Sequence, residues 1–168
     1  DRTPSSHFML KAIQSKKLRA GDGGFAIVAS RYNGRYVDAM VRAAAAELKR
    51  AGAKAVRVMR VPGAFEIPVV ATRLARVASA HGSPLGAIIC LGVILRGETV
   101  HAAHIGEAVS RALMRIQMRY ELPVIHEVLL LENEDQARAR CLDPKRNRGR
   151  EAAQTALAMA QVMRALPH

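Results

Sequence analysis

Residues 86–95 read GAIICLGVIL, a run of ten residues without a single charged side chain. This apolar character is typical of a strand inside a parallel sheet, because helices cover both faces of such a sheet. Even with Leu85 included, the run is shorter than the roughly 20 residues that a membrane-spanning helix needs. The stretch therefore predicts the central strand of a parallel sheet and not a membrane span.

Short apolar strands and amphipathic helices alternate on both sides of this run. The predicted strands are 25–29, 55–61, 86–95 and 124–130. Helices are predicted over 37–48, 68–81 and 105–120, where apolar residues recur at three- and four-residue spacing. Two more helices, over 134–140 and 150–166, are predicted to end the chain. The order βαβαβαβαα predicts an α/β fold, a three-layer α/β/α sandwich around a parallel four-stranded sheet with flavodoxin-like topology.

The sequence also predicts the place of one strand in the sheet and the buried face of one helix. The strand 55–61 contains Arg57 and Arg60 between its apolar residues, which predicts a position near the edge of the sheet. The apolar face of the helix 105–120 is predicted to include Ala108 together with Val109 and Leu113.

The composition is that of one soluble globular domain. Half of the 168 residues are hydrophobic and 24% are charged, which excludes global disorder. Residues 1–24 hold five basic residues and no sustained apolar period. They are predicted to form a basic N-terminal arm, flexible or packed on a neighbour, before a domain over 25–168. With no apolar signal segment near the start and only Cys90 and Cys141 as cysteines, the chain is expected in the cytoplasm.

The chain carries a formal net charge of +12, which favours anionic ligands. Its aromatic residues are only three Tyr and three Phe, and single-strand nucleic-acid binders need more stacking platforms than that. The basic residues that crowd one segment are Arg138, Arg140, Lys145, Arg146, Arg148 and Arg150. A solvated charged surface is the favoured interpretation of this run, and an anion- or nucleic-acid-binding assembly protein is the alternative.

Ligands of open parallel sheets bind outside the carboxyl ends of the strands. In this chain that rule points to residues 30–36, 62–68, 93–101 and 126–132. No G-x-G-x-x-G motif follows a strand, and no Walker A lysine motif occurs. A dinucleotide or P-loop enzyme is therefore not predicted.

The predicted strand ends carry a few chemically useful side chains. Phe65 could stack on a planar heterocycle and Glu66 could accept hydrogen bonds from its N–H groups. Residues 97–99 precede a helix, whose free N–H groups favour a phosphate. His101 falls in the first turn of that helix and is a candidate for proton transfer. His104 follows one turn later, but the pair lacks a third ligand at a suitable spacing, so no metal site is predicted.

Four motifs give the sequence a specific family resemblance. They are SRYNGRYV at 30–37, VPGAFEIP at 61–68, LGVILRGETVH at 91–101 and LENEDQARAR at 131–140. In order and spacing, over residues 25–165, they resemble the lumazine synthase family. The resemblance implies condensation of 5-amino-6-(D-ribitylamino)uracil with 3,4-dihydroxy-2-butanone 4-phosphate. The product would be 6,7-dimethyl-8-ribityllumazine, formed with release of phosphate and water in the penultimate step of riboflavin biosynthesis. The family is a transferase family that needs no cofactor and no metal.

The resemblance also implies roles for individual residues. His101 matches the proton-transfer histidine, and Arg140 matches a phosphate-binding arginine that reaches the site of the adjacent subunit. Tyr32 matches the aromatic residue that stacks on the pyrimidine ring, and Glu98 belongs to the loop on the phosphate side. The implied substrate-binding residues are Tyr32, Asn33, Ala64, Phe65, Glu66, Val93, Ile94, Leu95, Gly97, Glu98, Thr99, His126 and Arg148. The implied assembly is a homo-oligomer built from pentamers, with its sites at subunit interfaces.

The sequence departs from the family pattern at four positions. His126 stands where many members have a Phe that covers the pyrimidine from the neighbouring subunit. Ala102 replaces an aromatic residue after the histidine, and Pro144 and Arg148 stand where lysines commonly line the substrate loop. These departures are expected to change substrate affinity more than the reaction. A homologue that binds a flavin or lumazine with weak catalysis is the alternative function, and retention of His101 and Arg140 argues against it.

Overall fold

The sheet of the computed structural model has four parallel strands, as the sequence predicts. The structure describes residues 18–82, 85–97 and 100–167. The strands are β1 (Gly24–Ser30), β2 (Val56–Val61), β3 (Leu85–Leu95) and β4 (Val124–Leu131). In the order β2-β1-β3-β4, the apolar run quoted above forms β3 and pairs with a strand on each side.

Helices cover both faces of this sheet. They are α1 (Gly34–Arg50), α2 (Ile67–His81), α3 (His101–Tyr120), α4 (Glu134–Ala137) and α5 (Arg148–Ala165). Because successive side chains of a strand point to opposite faces, Ile27 and Ile89 pack with α1 and α5, while Val28 and Ile88 pack with α2 and α3. These two apolar layers confirm the three-layer sandwich.

The order of the strands determines where a ligand can bind. From β1 the chain moves to β2 on one side, and it then returns across β1 to place β3 and β4 on the other side. The loops that leave β1 and β3 therefore diverge and open a crevice at the carboxyl ends of these strands. The expected edge position of β2 is confirmed, and its Arg57 and Val58 are exposed.

Helix α3 differs from its prediction at one position. Val109 and Leu113 are buried as predicted, whereas Ala108 is exposed. The reason is the packing of α2, which covers only part of the apolar stripe and leaves a groove beside Ala108 and Arg111. For an alanine at the edge of the apolar face of a helix, the local sequence does not show whether the side chain is buried or exposed.

The helix predicted over 134–140 also differs from the observed structure. Its first turn is α4, and the chain then widens into a π-helix over Arg138–Leu142. The amide of Asp143 donates to the carbonyl of Arg138 at 3.3 Å, five residues back. Arg140 lies on this π-helix with its side chain exposed.

The described part of the predicted N-terminal arm is packed against its own domain. Ala20 is 1% exposed, and its amide donates to the carbonyl of Ala51 at 3.0 Å. Arg164 of α5 donates to the carbonyl of Ala20 at 3.2 Å. The rest of the predicted arm, residues 1–17, lies outside the described residues. Within the described ranges, no helix has the length and apolar composition needed to cross a membrane.

Candidate active site

A cavity of about 450 Å³ opens at the carboxyl ends of β1, β2 and β3, at the crevice set by the strand order. Its lining residues are Tyr32, Asn33, Gly63, Ala64, Phe65, Glu66, Val93, Ile94, Leu95, His101 and Ile105. Most of the residues that the sequence suggested for a site therefore meet around one cavity. Sequence reasoning missed Gly63 and Ile105, although Ile105 stands one helical turn after His101 and this spacing could have found it.

The loop after β1 is held against the loop after β2. The amide of Arg31 donates to the carbonyl of Val61 at 2.8 Å, and the amide of Tyr32 donates to that of Pro62 at 3.1 Å. The Tyr32 ring lies over Gly63, where an added Cβ would be 3.0 Å from the ring atom Cδ2. Because Gly63 has no side chain, the ring can lie this close to the backbone. It remains 69% exposed and is available to stack on a ligand.

Asn33 ties the loop after β1 to the end of β3. Its backbone has φ 55° and ψ 39°, a left-handed conformation that asparagine tolerates better than most residues. Its backbone carbonyl accepts from the amides of Tyr36 and Val37 at the start of α1. Its side-chain amide donates to the carbonyl of Val93 at 2.7 Å. This cross-link sets the width of the crevice between the two central strands.

The loop after β2 presents an aromatic ring and a carboxylate side by side. A short 3₁₀ turn, Ala64–Glu66, leads into α2 and leaves the Phe65 ring 63% exposed. The Glu66 carboxylate accepts a hydrogen bond from the amide of Gly63 at 2.9 Å through Oε2. Among the described residues its Oε1 has no donor, so this oxygen can accept from a ligand.

His101 begins α3 and stands in the wall of the cavity opposite these loops. Glu98 and Thr99 precede it and lie outside the described residues. Gly97 is described but does not line the cavity. His101 therefore lies at the cavity, as the sequence suggests. Binding of phosphate by the loop 97–99 stays a prediction.

Three of the suggested residues lie away from the cavity of their own chain. Arg140 is exposed on the π-helix, which packs against α1 and α5 on the other face of the sheet. His126 lies on the edge strand β4, and Arg148 begins α5. None of the three lines the cavity, so a single described chain does not bring them to its ligand site.

Arg148 is bound by two carboxylates of its own chain. It donates to both oxygens of Glu127, at 3.0 and 3.2 Å, and to Oε2 of Glu151 at 2.7 Å. Burial raises the pKa of Glu127, and the charge of Arg148 opposes that rise. The guanidinium therefore joins β4 to α5 inside the fold, an arrangement that the charge pattern of the sequence does not reveal.

Half of the six residues in the basic run around Arg148 form ion pairs within the chain, Arg148 included. Arg138 pairs with Glu134 and Asp135, and Arg146 pairs with Asp143. Within the described chain, the side chains of Arg140, Lys145 and Arg150 form no ion pair. These local pairs favour the interpretation of the run as a charged surface over a nucleic-acid site.

His126 is held by a chain of hydrogen bonds between β4 and α3. Its Nδ1 accepts from the amide of Val128 at 3.1 Å, and its Nε2 lies 2.7 Å from Oγ of Ser110. The Ser110 hydroxyl donates to the carbonyl of Gly106 at 2.8 Å, so it accepts the Nε2 proton. This arrangement selects the neutral ring, and partial burial lowers the pKa of His126.

The lowered pKa of His126 predicts a loss of stability in mild acid. From about pH 7.5 upward the ring is almost entirely neutral in both the folded and the unfolded chain, so it adds little pH dependence there. Below its ordinary value of about 6.5 the unfolded chain binds a proton that the folded ring resists. We expect the urea midpoint to fall between pH 7.5 and pH 5.5, and to fall less in His126→Gln. Equal changes in the two proteins would contradict this origin of the pH dependence.

Among the described residues, neither a reactive cysteine nor a metal-binding cluster lies at the cavity. Cys90 and Cys141 are buried, and burial raises the pKa of their thiols to about 12 and about 11, so neither is a ready nucleophile. Among residues 18–82, 85–97 and 100–167, no three His, Cys, Asp or Glu side chains stand close enough to hold a metal ion. The groups that remain are suited to binding a planar polar ligand and moving protons.

Comparison with known proteins gives one consistent result. The family model described as 6,7-dimethyl-8-ribityllumazine synthase matches residues 23–164. The protein of that name from Xanthomonas oryzae pv. oryzae (strain PXO99A) is 40% identical over 152 residues, which cover 89% of this chain and 96% of that protein. The protein of the same name from Stenotrophomonas maltophilia (strain R551-3) is 41% identical over 145 residues, which cover 85% and 90% of the two chains.

Proposed function

Because the chain belongs to the 6,7-dimethyl-8-ribityllumazine synthase family, we propose that the cavity at the ends of β1, β2 and β3 is its active site. The chain is a transferase of riboflavin biosynthesis. It condenses 5-amino-6-(D-ribitylamino)uracil with 3,4-dihydroxy-2-butanone 4-phosphate and forms 6,7-dimethyl-8-ribityllumazine. The observation that carries the site assignment is the meeting of two exposed aromatic rings, a carboxylate and a histidine around one cavity.

The aromatic side of the cavity suits the pyrimidine substrate. The exposed Tyr32 ring stacks on the pyrimidine, an interaction of about 1–3 kcal/mol in comparable base–aromatic contacts. Backbone groups at the end of β3 bind the polar edge of the ring, and Oε1 of Glu66 accepts from an N–H or hydroxyl group. Phe65, beside Glu66, supplies apolar contact for the ribityl chain. These contacts hold the amine of this substrate toward His101.

His101 serves the proton transfers of the reaction. The amine of the uracil attacks the ketone of the butanone phosphate and forms an imine with loss of one water. Phosphate then leaves by elimination, and ring closure releases a second water. Each of these steps moves a proton near neutral pH, and a positioned histidine contributes about 10²- to 10⁴-fold to such steps. Much of the remaining acceleration comes from holding the two substrates in one orientation.

The phosphate charge requires a group from outside the cavity of a single chain. None of the described residues that line the cavity is Lys or Arg. Arg140 is exposed, carries no ion pair to a described residue and lies on the other face of the sheet. We infer that Arg140 of one subunit binds the phosphate in the cavity of its neighbour, with a homopentamer as the unit of assembly. His126, exposed on the edge strand β4, would face the same neighbouring cavity.

The role of His101 is tested by replacing it with alanine. We expect His101→Ala to slow lumazine formation on the order of 10²-fold, because the proton transfers lose their positioned group. The measurement follows lumazine absorbance and fluorescence after mixing both substrates with the purified protein. The control is His104→Ala, which removes an exposed histidine from the same helix outside the cavity and should leave the rate nearly unchanged. Similar rates for the two variants would refute the assignment.

Sharing of each site between subunits is tested by mixing two inactive variants. In oligomers that combine His101→Ala and Arg140→Ala chains, some sites receive His101 from one chain and Arg140 from the other. Random assembly from equal amounts should restore about a quarter of the wild-type activity, because one pairing in four contains both native residues. Mixed oligomers, identified by native mass spectrometry, that stay inactive would show that both residues serve the same subunit.

Both cysteines are free and buried, which suits a reducing compartment, and we place the enzyme in the cytoplasm on that basis.

The alternative of a flavin- or lumazine-binding homologue has a distinct outcome in the assay of lumazine formation. Such a protein would bind a ribityl-pyrimidine and form product no faster than the uncatalysed mixture.

A further inference from the structure

The π-helix that carries Arg140 depends on a partner from another element. π-Helical turns are rare and occur frequently at functional sites. The last carbonyls of any helix lack partners within it and must find them elsewhere. Here the carbonyl of Cys141, next to Arg140 in the chain, accepts a hydrogen bond from the side-chain amide of Asn147 at 2.5 Å.

Asn147 uses the rest of its side chain to bind two further elements. Its amide also lies 3.5 Å from the carbonyl of Ala39 in α1. Its Oδ1 accepts from the amides of Gly149 and Arg150, at 2.8 and 3.3 Å, and so caps α5. The residue is 6% exposed. One buried amide therefore joins the π-helix to α1 and α5, and it can make these bonds only in one orientation.

This amide matters for Arg140 because the Arg140 side chain has no other fixed support. Arg138, on the same π-helix, is held by Glu134 and Asp135. The described residues offer Arg140 no such carboxylate within ion-pairing distance. The Glu127 carboxylate acts on Arg140 only through its charge. The point at which the Arg140 side chain leaves the backbone is held by the bond from Asn147 to the carbonyl of the next residue, Cys141.

We propose that Asn147 is a positioning residue for the phosphate substrate, acting through the backbone of Cys141 on Arg140. This inference rests on the proposed phosphate-binding role of Arg140. A positioning role distinguishes Asn147 from an ordinary helix cap. Loss of an ordinary cap would weaken the fold and would not change the affinity for one substrate more than for the other. The bond from Nδ2 to the Cys141 carbonyl carries the positioning, and the bonds to Oδ1 carry the cap.

The test removes the first of these bonds and keeps the second. Asn147→Asp has the same shape and retains the capping oxygen, but it has no N–H for the Cys141 carbonyl. Asn147→Ser is a neutral second variant that keeps a capping oxygen on a shorter side chain and decides the question if the aspartate variant fails to fold. Gln154→Ala is the matched control, because it removes a 3.3 Å hydrogen bond between α5 and α1 without touching the π-helix.

The expected result is a change confined to the phosphate side of the reaction. In the Asn147 variants the KM for the butanone phosphate should rise roughly tenfold, while the KM for the ribitylaminouracil stays within about twofold. The inhibition constant of inorganic phosphate should rise with the first KM. In an Arg140→Ala background the same substitution should add nothing, because the two residues act as one unit. Gln154→Ala should leave both KM values unchanged.

Three outcomes would overturn the inference. They are equal changes in both KM values, an unchanged KM for the phosphate substrate in a folded variant, and an effect that persists without Arg140. If Arg140 does not bind the phosphate at all, a different result is expected. Arg140→Ala alone would then leave the affinity for inorganic phosphate unchanged. Urea midpoints measured in parallel show how far each variant is destabilised and allow comparison at equal folded fractions.

Discussion

Replacing Arg140 with alanine is expected to slow lumazine formation by about 10³-fold, mainly by weakening the hold on the butanone phosphate. The described residues that line the cavity of one chain include no Lys or Arg, so none of them can take over the phosphate charge. A guanidinium offers two parallel N–H groups to phosphate oxygens, which is stronger and more directional than a neutral hydrogen bond. Steady-state kinetics with each substrate varied in turn should place the loss on the phosphate substrate.

Two variants show whether charge, geometry or fold is responsible for this loss. Arg140→Lys keeps the charge and loses the planar fork, so it should fall between wild type and alanine. Arg138→Ala removes an exposed arginine from the same π-helix, one that is already paired with Glu134 and Asp135. Its activity should stay close to wild type. A rate within about twofold of wild type for Arg140→Ala would rule out the assigned role.

The Gly149→Ala variant is expected to lose about 3 kcal/mol or more of its free energy of unfolding. Gly149 is buried in the first turn of α5, where the helix crosses α1. A Cβ at this position would stand 2.1 Å from the carbonyl oxygen of Met40 and 2.5 Å from its Cα. Backbone atoms cannot rotate aside as a flexible side chain can, so the two helices would have to separate.

The matched control for this substitution is another glycine inside a helix. At Gly106 in α3 the nearest atom to an added Cβ is Leu130 Cδ2 at 3.8 Å, an ordinary contact distance. Gly106→Ala should therefore be neutral or stabilising by up to about 1 kcal/mol, because alanine is the better helix former. Urea denaturation of both variants at pH 7.5 measures the difference. Equal midpoints would mean that α5 can shift away from α1 at little cost.

Much of the site could be predicted because its parts lie in short, consecutive segments. Tyr32, Phe65 and Leu95 each stand at or just after the end of a strand that the sequence shows by its apolar run. In a parallel sheet those ends meet at one edge, so a reliable order of elements is enough to bring the segments together. The four family motifs fall on the same segments and on the π-helix.

The residues that were harder to interpret depend on partners distant in the chain. The family pattern predicts that Arg148 binds substrate. The structure shows instead that Arg148, on α5, forms an ion pair with Glu127 on β4. In the sequence, Asn147 is an ordinary polar loop residue. Only the structure shows that its side-chain amide donates to the carbonyls of Ala39 and Cys141. Charge and polarity alone do not show which partner such a side chain meets.

Local patterns in the sequence are enough to predict the order of the elements, the central place of β3 and the four segments that could form a site. These features follow from apolar periodicity and turn residues within a few positions of one another, which is information that each segment carries alone. Three other features are visible only in the folded structure: the π-helix that carries Arg140, the close crossing at Gly149 and the exposure of Ala108. Each of these depends on how two or three layers pack, and packing brings together residues whose spacing in the chain does not predict their contact.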